Sequence, residues 1–231
     1  MSMPRVLILT TIYEAKDYCL KDFDKRVKEL TYKNVHHVYI DNSKSTRYVN
    51  KLRRMGLNAY HVDRGSSSRE AIARSLNFGR KIFLEGDYDY LFVLESDVFP
   101  PQNIIEALLI QAKDVISGLY FIGNDKVRVP CITLDEYNKE NCAWGTRLLH
   151  PSEFKEYCNN GVRKVQAGSF GVCLIARHIV EKTPFYFCPE LKGHPDIYFF
   201  NAMKNNNIPV FVHTNAICAH ENSDWKKVED R

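Results

Sequence analysis

Tyr90-Leu91-Phe92-Val93-Leu94-Glu95-Ser96-Asp97 is the stretch that decides how this 231-residue chain is read. Five consecutive apolar residues, from Tyr90 to Leu94, have the pattern of a strand in a parallel sheet covered by helices. The strand delivers two carboxylates, spaced i and i+2, to its C-terminal end. In open α/β sheets that edge is where ligands bind. Side chains two apart on an extended segment point the same way. Glu95 and Asp97 are therefore expected to converge on one hard cation, and Mg2+ or Mn2+ commonly bridges such carboxylates to a diphosphate. The competing reading is a solvated strand end, or a pair of caps for the following helix.

Working back from this strand, the pattern alternates. Strands are expected at 6–11, 37–40 and 59–62, and helices at 16–30, 45–55 and 68–85. Gly56 is a candidate C-cap and Ser68 a candidate N-cap. Ile72, Leu76, Gly79 and Phe83 follow one face of the third helix. The order β-α-β-α-β-α-β implies a parallel sheet with helices on both faces. Working forward, a helix is expected at 103–113. Two strands, 115–122 and 126–134, form a hairpin around Gly123-Asn124-Asp125. Residues 135–163 are polar, aromatic and weakly periodic, which suggests a functional loop. A strand at 172–176, a helix at 196–205 and a last strand at 209–213 follow. Residues 221–231 are charged and expected to fray. No repeat or linker-like tract is visible, so one domain is expected.

The composition is that of an ordinary globular protein: 45% hydrophobic, 26% charged and 12% aromatic. It argues against disorder, collagen-like repeats and coiled coil. The longest apolar runs, 90–94 and 170–176, are too short to span a bilayer. The apolar stretch at Val6–Leu9 is too short for a signal-peptide core. The seven cysteines form no CxxC, which argues against a disulfide framework or zinc site and for a reducing, cytoplasmic location. Residues 1–75 carry a balance of +7 and the remainder −3. A basic half beside an acidic half suits a site that binds a phosphorylated ligand near its own carboxylates; a solvated basic surface is the alternative.

Other residues carry chemistry. Asp196, in His194-Pro195-Asp196, is either an N-cap or a general base that takes a proton from an attacking hydroxyl. His220 is a surface histidine or a neutral imidazole ligand of a Mn2+-like ion. Gly168-Ser169-Phe170-Gly171 is a turn, or a backbone lying close beneath a bulky ligand. Arg69, Arg74 and Asn77 share one helix, and Arg69 in its first turn is placed to grip a phosphate.

In their order along the chain, these parts resemble the GT-A glycosyltransferases, in particular family-2-like enzymes. The resemblance covers roughly residues 5–221. It implies a GT-A (Rossmann-like) mixed, mainly parallel sheet flanked by helices. Residues 1–97 would form the nucleotide-binding half and 98–231 the acceptor and catalytic half. Glu95-Ser96-Asp97 takes the DxD position and, with His220, the metal. Thr10, Thr11 and Asp41 take the nucleotide-contacting strand ends, and Asn77-Phe78-Gly79 resembles the family's Asn-x-Gly. Gly168, Ser169 and Phe170 take the glycine-rich floor under donor sugar and acceptor. Asp196 takes the base position, with His194-Pro195 in place of the expected Glu. The first DxD acid is Glu95, which makes Asp97 the safer ligand.

The implied reaction moves a sugar from a nucleoside-diphosphate sugar to a hydroxyl, with inversion. Mn2+ or Mg2+ and Arg69 would stabilise the departing diphosphate. The expected acceptor is a glycan, and residues 135–163, with Trp144, Arg147, Tyr157 and Gly161, would form the acceptor-side loop, in which Trp144 either stacks on a sugar or base or packs the core. The basic residues Lys51, Arg53, Arg54 and Arg64 leave a hydroxylated DNA base as a second acceptor. Two other readings compete. A sugar-phosphate nucleotidyltransferase would carry a glycine-rich loop after the first strand, where this chain has Thr10-Thr11-Ile12-Tyr13-Glu14. A non-catalytic nucleotide-sugar-binding module would be indifferent to Asp196→Asn.

Overall fold

The computed structural model describes residues 3–123, 128–138, 143–158, 161–190 and 193–221. In chain order the elements are β1 (Val6–Ile12), α1 (Asp17–Lys28), β2 (Val35–Asp41), α2 (Arg47–Arg54), β3 (Ala59–His61), α3 (Ser68–Glu85), β4 (Tyr90–Leu94), β5 (Val98–Phe99), α4 (Ile104–Leu109), β6 (Val115–Leu119) and β7 (Phe121–Gly123). They continue with β8 (Arg128–Pro130), β9 (Thr133–Asn138), β10 (Ala143–Leu148), α5 (Phe154–Tyr157), β11 (Val162–Val165), β12 (Val172–Ala176), α6 (Arg177–Lys182), α7 (Pro195–Asn205), β13 (Val210–Ile217) and β14 (Ala219–His220).

Eight strands form one sheet in the order β11-β13-β6-β12-β4-β1-β2-β3. β3, β2, β1 and β4 run parallel, as the alternating pattern requires. β12 lies antiparallel between β4 and β6, and β11 antiparallel to β13. The sheet is therefore mixed and mainly parallel. Alternate residues of each strand enter opposite faces. Leu7, Leu9, Leu91 and Val93 pack with Leu76 and Phe83 of α3 and Phe199 and Phe200 of α7. Val6, Ile8, Phe92 and Leu94 pack with Phe23 of α1, Leu52 of α2 and Ile105 of α4. Gly79 faces Leu9, and a Cβ there would collide with that side chain, so the glycine lets α3 lie close to β1.

Several sequence expectations change at this level. Ser67, not Ser68, caps α3: its hydroxyl accepts the Glu70 N–H at 3.2 Å. Gly56 does follow the end of α2, at φ +79°. The expected strand 115–122 breaks at Tyr120 into β6, in the main sheet, and β7, which pairs antiparallel with β8. The turn expected at Asn124-Asp125 lies outside the described residues. Within 135–163, β9 and β10 form an antiparallel hairpin, followed by α5 and β11, where a loop was expected. The hairpin stands apart from the eight-stranded sheet, so it lacks the apolar alternation that marks a half-buried strand.

One half-buried histidine gives stability a pH dependence. His37 Nε2 lies 2.9 Å from Thr10 Oγ1. Burial, with the charges of His36 and Lys28, pushes its pKa down to about 3. An unfolded histidine titrates near 6.5. Below that pH the unfolded chain takes up a proton that the native chain refuses, so this contribution is complete above 6.5 and is lost as pH falls toward 3. Denaturant titrations at pH 6.5 and 5.0 are expected to show a loss of about 2 kcal/mol from this group. His37→Gln should flatten that slope.

Candidate functional site

Because β1 to β4 point the same way, the loops after them meet at one edge of the sheet. There they enclose a cavity of about 1000 Å³. Thr11 and Ile12 line it from β1, Asn42 and Ser43 from the end of β2, His61 from β3, and Glu95, Ser96 and Asp97 from the end of β4. The opposite wall is the Gly65–Arg69 segment at the start of α3, with His194 before α7. Gly65 turns the chain at φ +71°, and its N–H donates to Asp63 Oδ1 at 2.9 Å. The Glu70 carboxylate accepts the Ser66 N–H at 2.8 Å and its hydroxyl at 2.7 Å. The segment leads into the N-terminus of an 18-residue helix, a place that favours anions, where Ser67 and the Glu70 carboxylate already take the Glu70 and Ser66 N–H groups. The cations Lys16, Lys44, Arg64 and Arg69 all border the same space.

The floor is the acid pair. Asp97 is buried, and Lys16 forms an ion pair with its Oδ2. His220 Nε2 faces the same oxygen at 3.5 Å. The position of His220 follows from a short ladder in which β14 pairs with β5 and sets His220 opposite Val98. Its Nδ1 lies 3.0 Å from the Phe121 carbonyl oxygen, which turns Nε2 toward the acid. Its ring also packs edge-on against Tyr120, with centroids 5.0 Å apart. Burial opposes ionisation of Asp97, but the facing His220 ring and the charge of Lys16 outweigh it and hold the group below the usual carboxylate range. Glu95 moves the other way: burial and then the Asp97 charge raise it.

The cavity's fit to a divalent ion is mixed. Among the described residues, no group of three or more His, Cys, Asp or Glu is arranged to hold a metal ion. The expected set of Glu95, Asp97 and His220 is therefore reduced to the facing pair of Asp97 and His220. Mg2+-like ions are commonly held by one or two protein ligands together with substrate phosphates and water. One carboxylate and one suitably turned imidazole beside an anion-favouring cavity meet that description.

The structure places the remaining expected residues as follows. Thr11, Arg69, Ser96 and His194 line the cavity. Thr10 and Asp41 are fully buried behind its wall. Thr10 is engaged with His37. Asp41 Oδ1 accepts the N–H and hydroxyl of Ser43 at 2.9 and 2.6 Å, and its Oδ2 lies 3.0 Å from His61 Nδ1. Asp41 thus reaches the cavity only by orienting Ser43 and His61.

Asn77 is a correction. Its amide donates to the Phe185 carbonyl at 2.6 Å and accepts the Phe185 N–H at 3.0 Å. It clamps α3 to the segment before α7 and does not border the cavity. Asn77→Ala is expected to cost about 1–3 kcal/mol in a denaturant titration, since it strands two backbone groups, and to leave diphosphate affinity unchanged. Arg74 is likewise committed, to Asp63 and Glu70, each at 2.6 Å.

The glycine-rich segment is also not an open floor. Phe170 is buried among Phe185, Phe199 and Phe200. Ser169 is buried and hydrogen-bonded to Tyr120. A Cβ on Gly168 would collide with Ser117, and one on Gly171 with Tyr120. What the segment does give the site is the Gly171 carbonyl, which accepts the Glu95 N–H at 3.0 Å. Trp144 lies on β10, and its side chain is outside the described residues. Arg147 is spent on Glu153, through two contacts of 2.7 Å.

Sequence reasoning passed over Lys16, Tyr13 and the Gly65–Ser67 turn, and read Arg64 only as one of a basic cluster. Arg64 donates to Asn42 Oδ1 at 3.0 Å and lies over the Tyr13 ring, 4.9 Å from its centroid. A Gly-Ser-Ser-Ser run directly before a helix was the available signal for this wall. Lys16 carried none, because it meets Asp97 only through the fold.

With this geometry in place, the architecture is recognisable as the GT-A fold. GalNAc-T7, crystallised with UDP, GalNAc and Mn2+, matches at TM-score 0.66 and 13% identity, over 94% of this chain and 43% of that one. The mannosyltransferase PcManGT from Pyrobaculum calidifontis, in complex with GDP-Man and Mn2+, matches at TM-score 0.60 and 14% identity, over 95% of this chain and 57% of that one. The chain thus spans about half the length of these solved structures. No family model matches the chain, nor does any curated protein. The GT-A part of the resemblance drawn from the motifs holds at the level of fold, and its family-2-like part rests on the motifs alone.

Proposed function

We propose that this protein is a metal-dependent glycosyltransferase that moves a sugar from a nucleoside-diphosphate sugar to an acceptor hydroxyl. One observation carries the reading: the buried Asp97, faced by His220, lies at the foot of a cation-lined cavity on the ligand-binding edge of the sheet. Both solved structures above hold Mn2+ with a nucleotide or nucleotide sugar. In this reading the chain is one domain, with residues 1–97 taking the donor and 98–231 the acceptor.

Asp97 and His220 would hold Mn2+ or Mg2+, which supplies electrostatic stabilisation of the departing diphosphate. Arg69 and the N-terminus of α3 would take phosphate oxygens. Asp196 stands in the first turn of α7, next to His194 on the cavity wall. Burial raises its pKa, and its charge is felt at Glu95. A carboxylate of raised pKa is a better proton acceptor, so Asp196 would take the proton of the attacking hydroxyl. Attack from the face opposite the diphosphate gives inversion.

A glycan is the acceptor proposed. Of the basic residues that suggested DNA, Arg53 bonds the Ala59 carbonyl and Lys51 pairs with Asp17, while Arg64 donates to Asn42 at the cavity. No helix among the described residues is long and apolar enough to cross a membrane. The test is thermal shift against UDP, GDP, dTDP and CDP, each with Mn2+ or EDTA. Stabilisation by one diphosphate, lost in EDTA, is the expected result. No response to any of the four with Mn2+ present would reject the reading.

A further inference from the structure

Asp97 already carries a cation. Its side chain is 3% exposed and that of Lys16 16%, and their ion pair is made at Oδ2, the oxygen that His220 also faces. A divalent ion held between Asp97 and His220 must compete with the ammonium for this carboxylate, because two cations on one oxygen repel strongly where water is scarce.

The backbone at Lys16 is linked to the strand end through the Cys19 thiol. Cys19 Sγ lies 3.2 Å from the Lys16 carbonyl oxygen and 3.3 Å from that of Ser96. This thiol is buried, which pushes its pKa up to about 12 and keeps it a donor. It ties the start of α1 to the strand end that bears Asp97. What can move is the flexible four-carbon stem of Lys16, and that stem borders the cavity. The cavity is already lined by Lys44, Arg64 and Arg69. A divalent ion entering alone would add charge to a cationic site, whereas a diphosphate entering with it offsets that charge and offers the displaced ammonium a new partner.

Resting on the donor-site reading above, we propose that Lys16 is an exchangeable counter-ion: it holds Asp97 against divalent cations in the unloaded protein and hands it over when a diphosphate takes the ammonium. Lys16 is then a positioning residue for the metal and a ligand of the diphosphate. Metal and diphosphate bind with strong positive coupling, each weakly by itself.

The experiment is Mn2+ binding, followed by the electron paramagnetic resonance of free Mn2+, with the whole chain and with or without each of UDP, GDP, dTDP and CDP. Wild type is expected to bind Mn2+ at least about tenfold more tightly with its accepted diphosphate than without. Lys16→Met, uncharged and of similar length, should bind Mn2+ alone about tenfold more tightly than wild type, with most of the coupling lost. Lys16→Arg should retain the wild-type pattern. Wild type binding Mn2+ alone as tightly as with diphosphate overturns the exchange without recourse to any variant. Lys16→Met binding Mn2+ no more tightly than wild type also overturns it, while diphosphate-dependent uptake by wild type leaves the donor-site reading standing. No uptake by any of the three proteins, with any of the four diphosphates, overturns both.

Discussion

Replacing Asp97 by Asn is expected to abolish the Mn2+-dependent rise in melting temperature given by a nucleoside diphosphate, and to lower sugar transfer at least about a thousandfold. Asn keeps the shape of the carboxylate and removes its charge. That charge is the anion at the meeting point of Lys16 and His220, held ionised by both. Without it a divalent ion bound as proposed would lose its carboxylate ligand, and the charge proposed to offset the diphosphate would go with it. Unliganded stability should also fall, because Lys16 loses its anionic partner. The loss should be smaller than the about 3–5 kcal/mol of a fully buried broken pair, since Lys16 borders the cavity and can turn to water. Melting curves in EDTA measure this structural part, and the difference between Mn2+ with diphosphate and EDTA measures the binding part. A variant that loses only the first quantity would assign Asp97 a structural role and reject its part in the site.

The first half was legible because β1 and β4 are nearly continuous apolar runs. The β1 and β4 runs allow no other placement than the centre of a parallel sheet, and the acids after β4 then fall at its ligand-binding edge. The second half was less legible for physical reasons. The β9–β10 hairpin lies outside the main sheet, and the β5–β14 ladder has two residues on each side. Neither leaves a periodic signature, yet that ladder places His220 beside Asp97. The Lys16–Asp97 pair spans 81 positions and leaves no local trace. Asn77 shows the converse error. An amide on a helix resembled a known motif, but it lies well beyond the first turn of α3, and the backbone of Phe185 consumes both ends of its side chain. Phe170 was misplaced for a similar reason: a glycine-rich segment suggested an open floor, whereas its glycines make room for Ser117 and Tyr120 of the protein itself.

Asp196→Asn should separate binding from chemistry. The expected result is a fall in transfer of about 10²–10⁴-fold, with the stabilisation by Mn2+ and diphosphate unchanged. Asn retains the side-chain oxygen that accepts the Ile197 N–H, a bond of 2.8 Å in the native protein, so the first turn of α7 should persist. What it loses is the capacity to take a proton. The pH profile gives a second, independent readout. Burial raises the Asp196 pKa, and the nearby His194 only partly opposes this. The base works when deprotonated, so wild-type transfer should be complete on the alkaline side and fall with decreasing pH, at a midpoint above that of an ordinary carboxylate near 3.9. Residual activity of Asp196→Asn should lack that limb. Transfer undiminished in Asp196→Asn would remove the base from this position and move it to another group near the cavity. Wild-type stabilisation by diphosphate without transfer to any hydroxyl would favour the non-catalytic nucleotide-sugar-binding module, because the same cavity would then be doing all that its cations and its acid provide for.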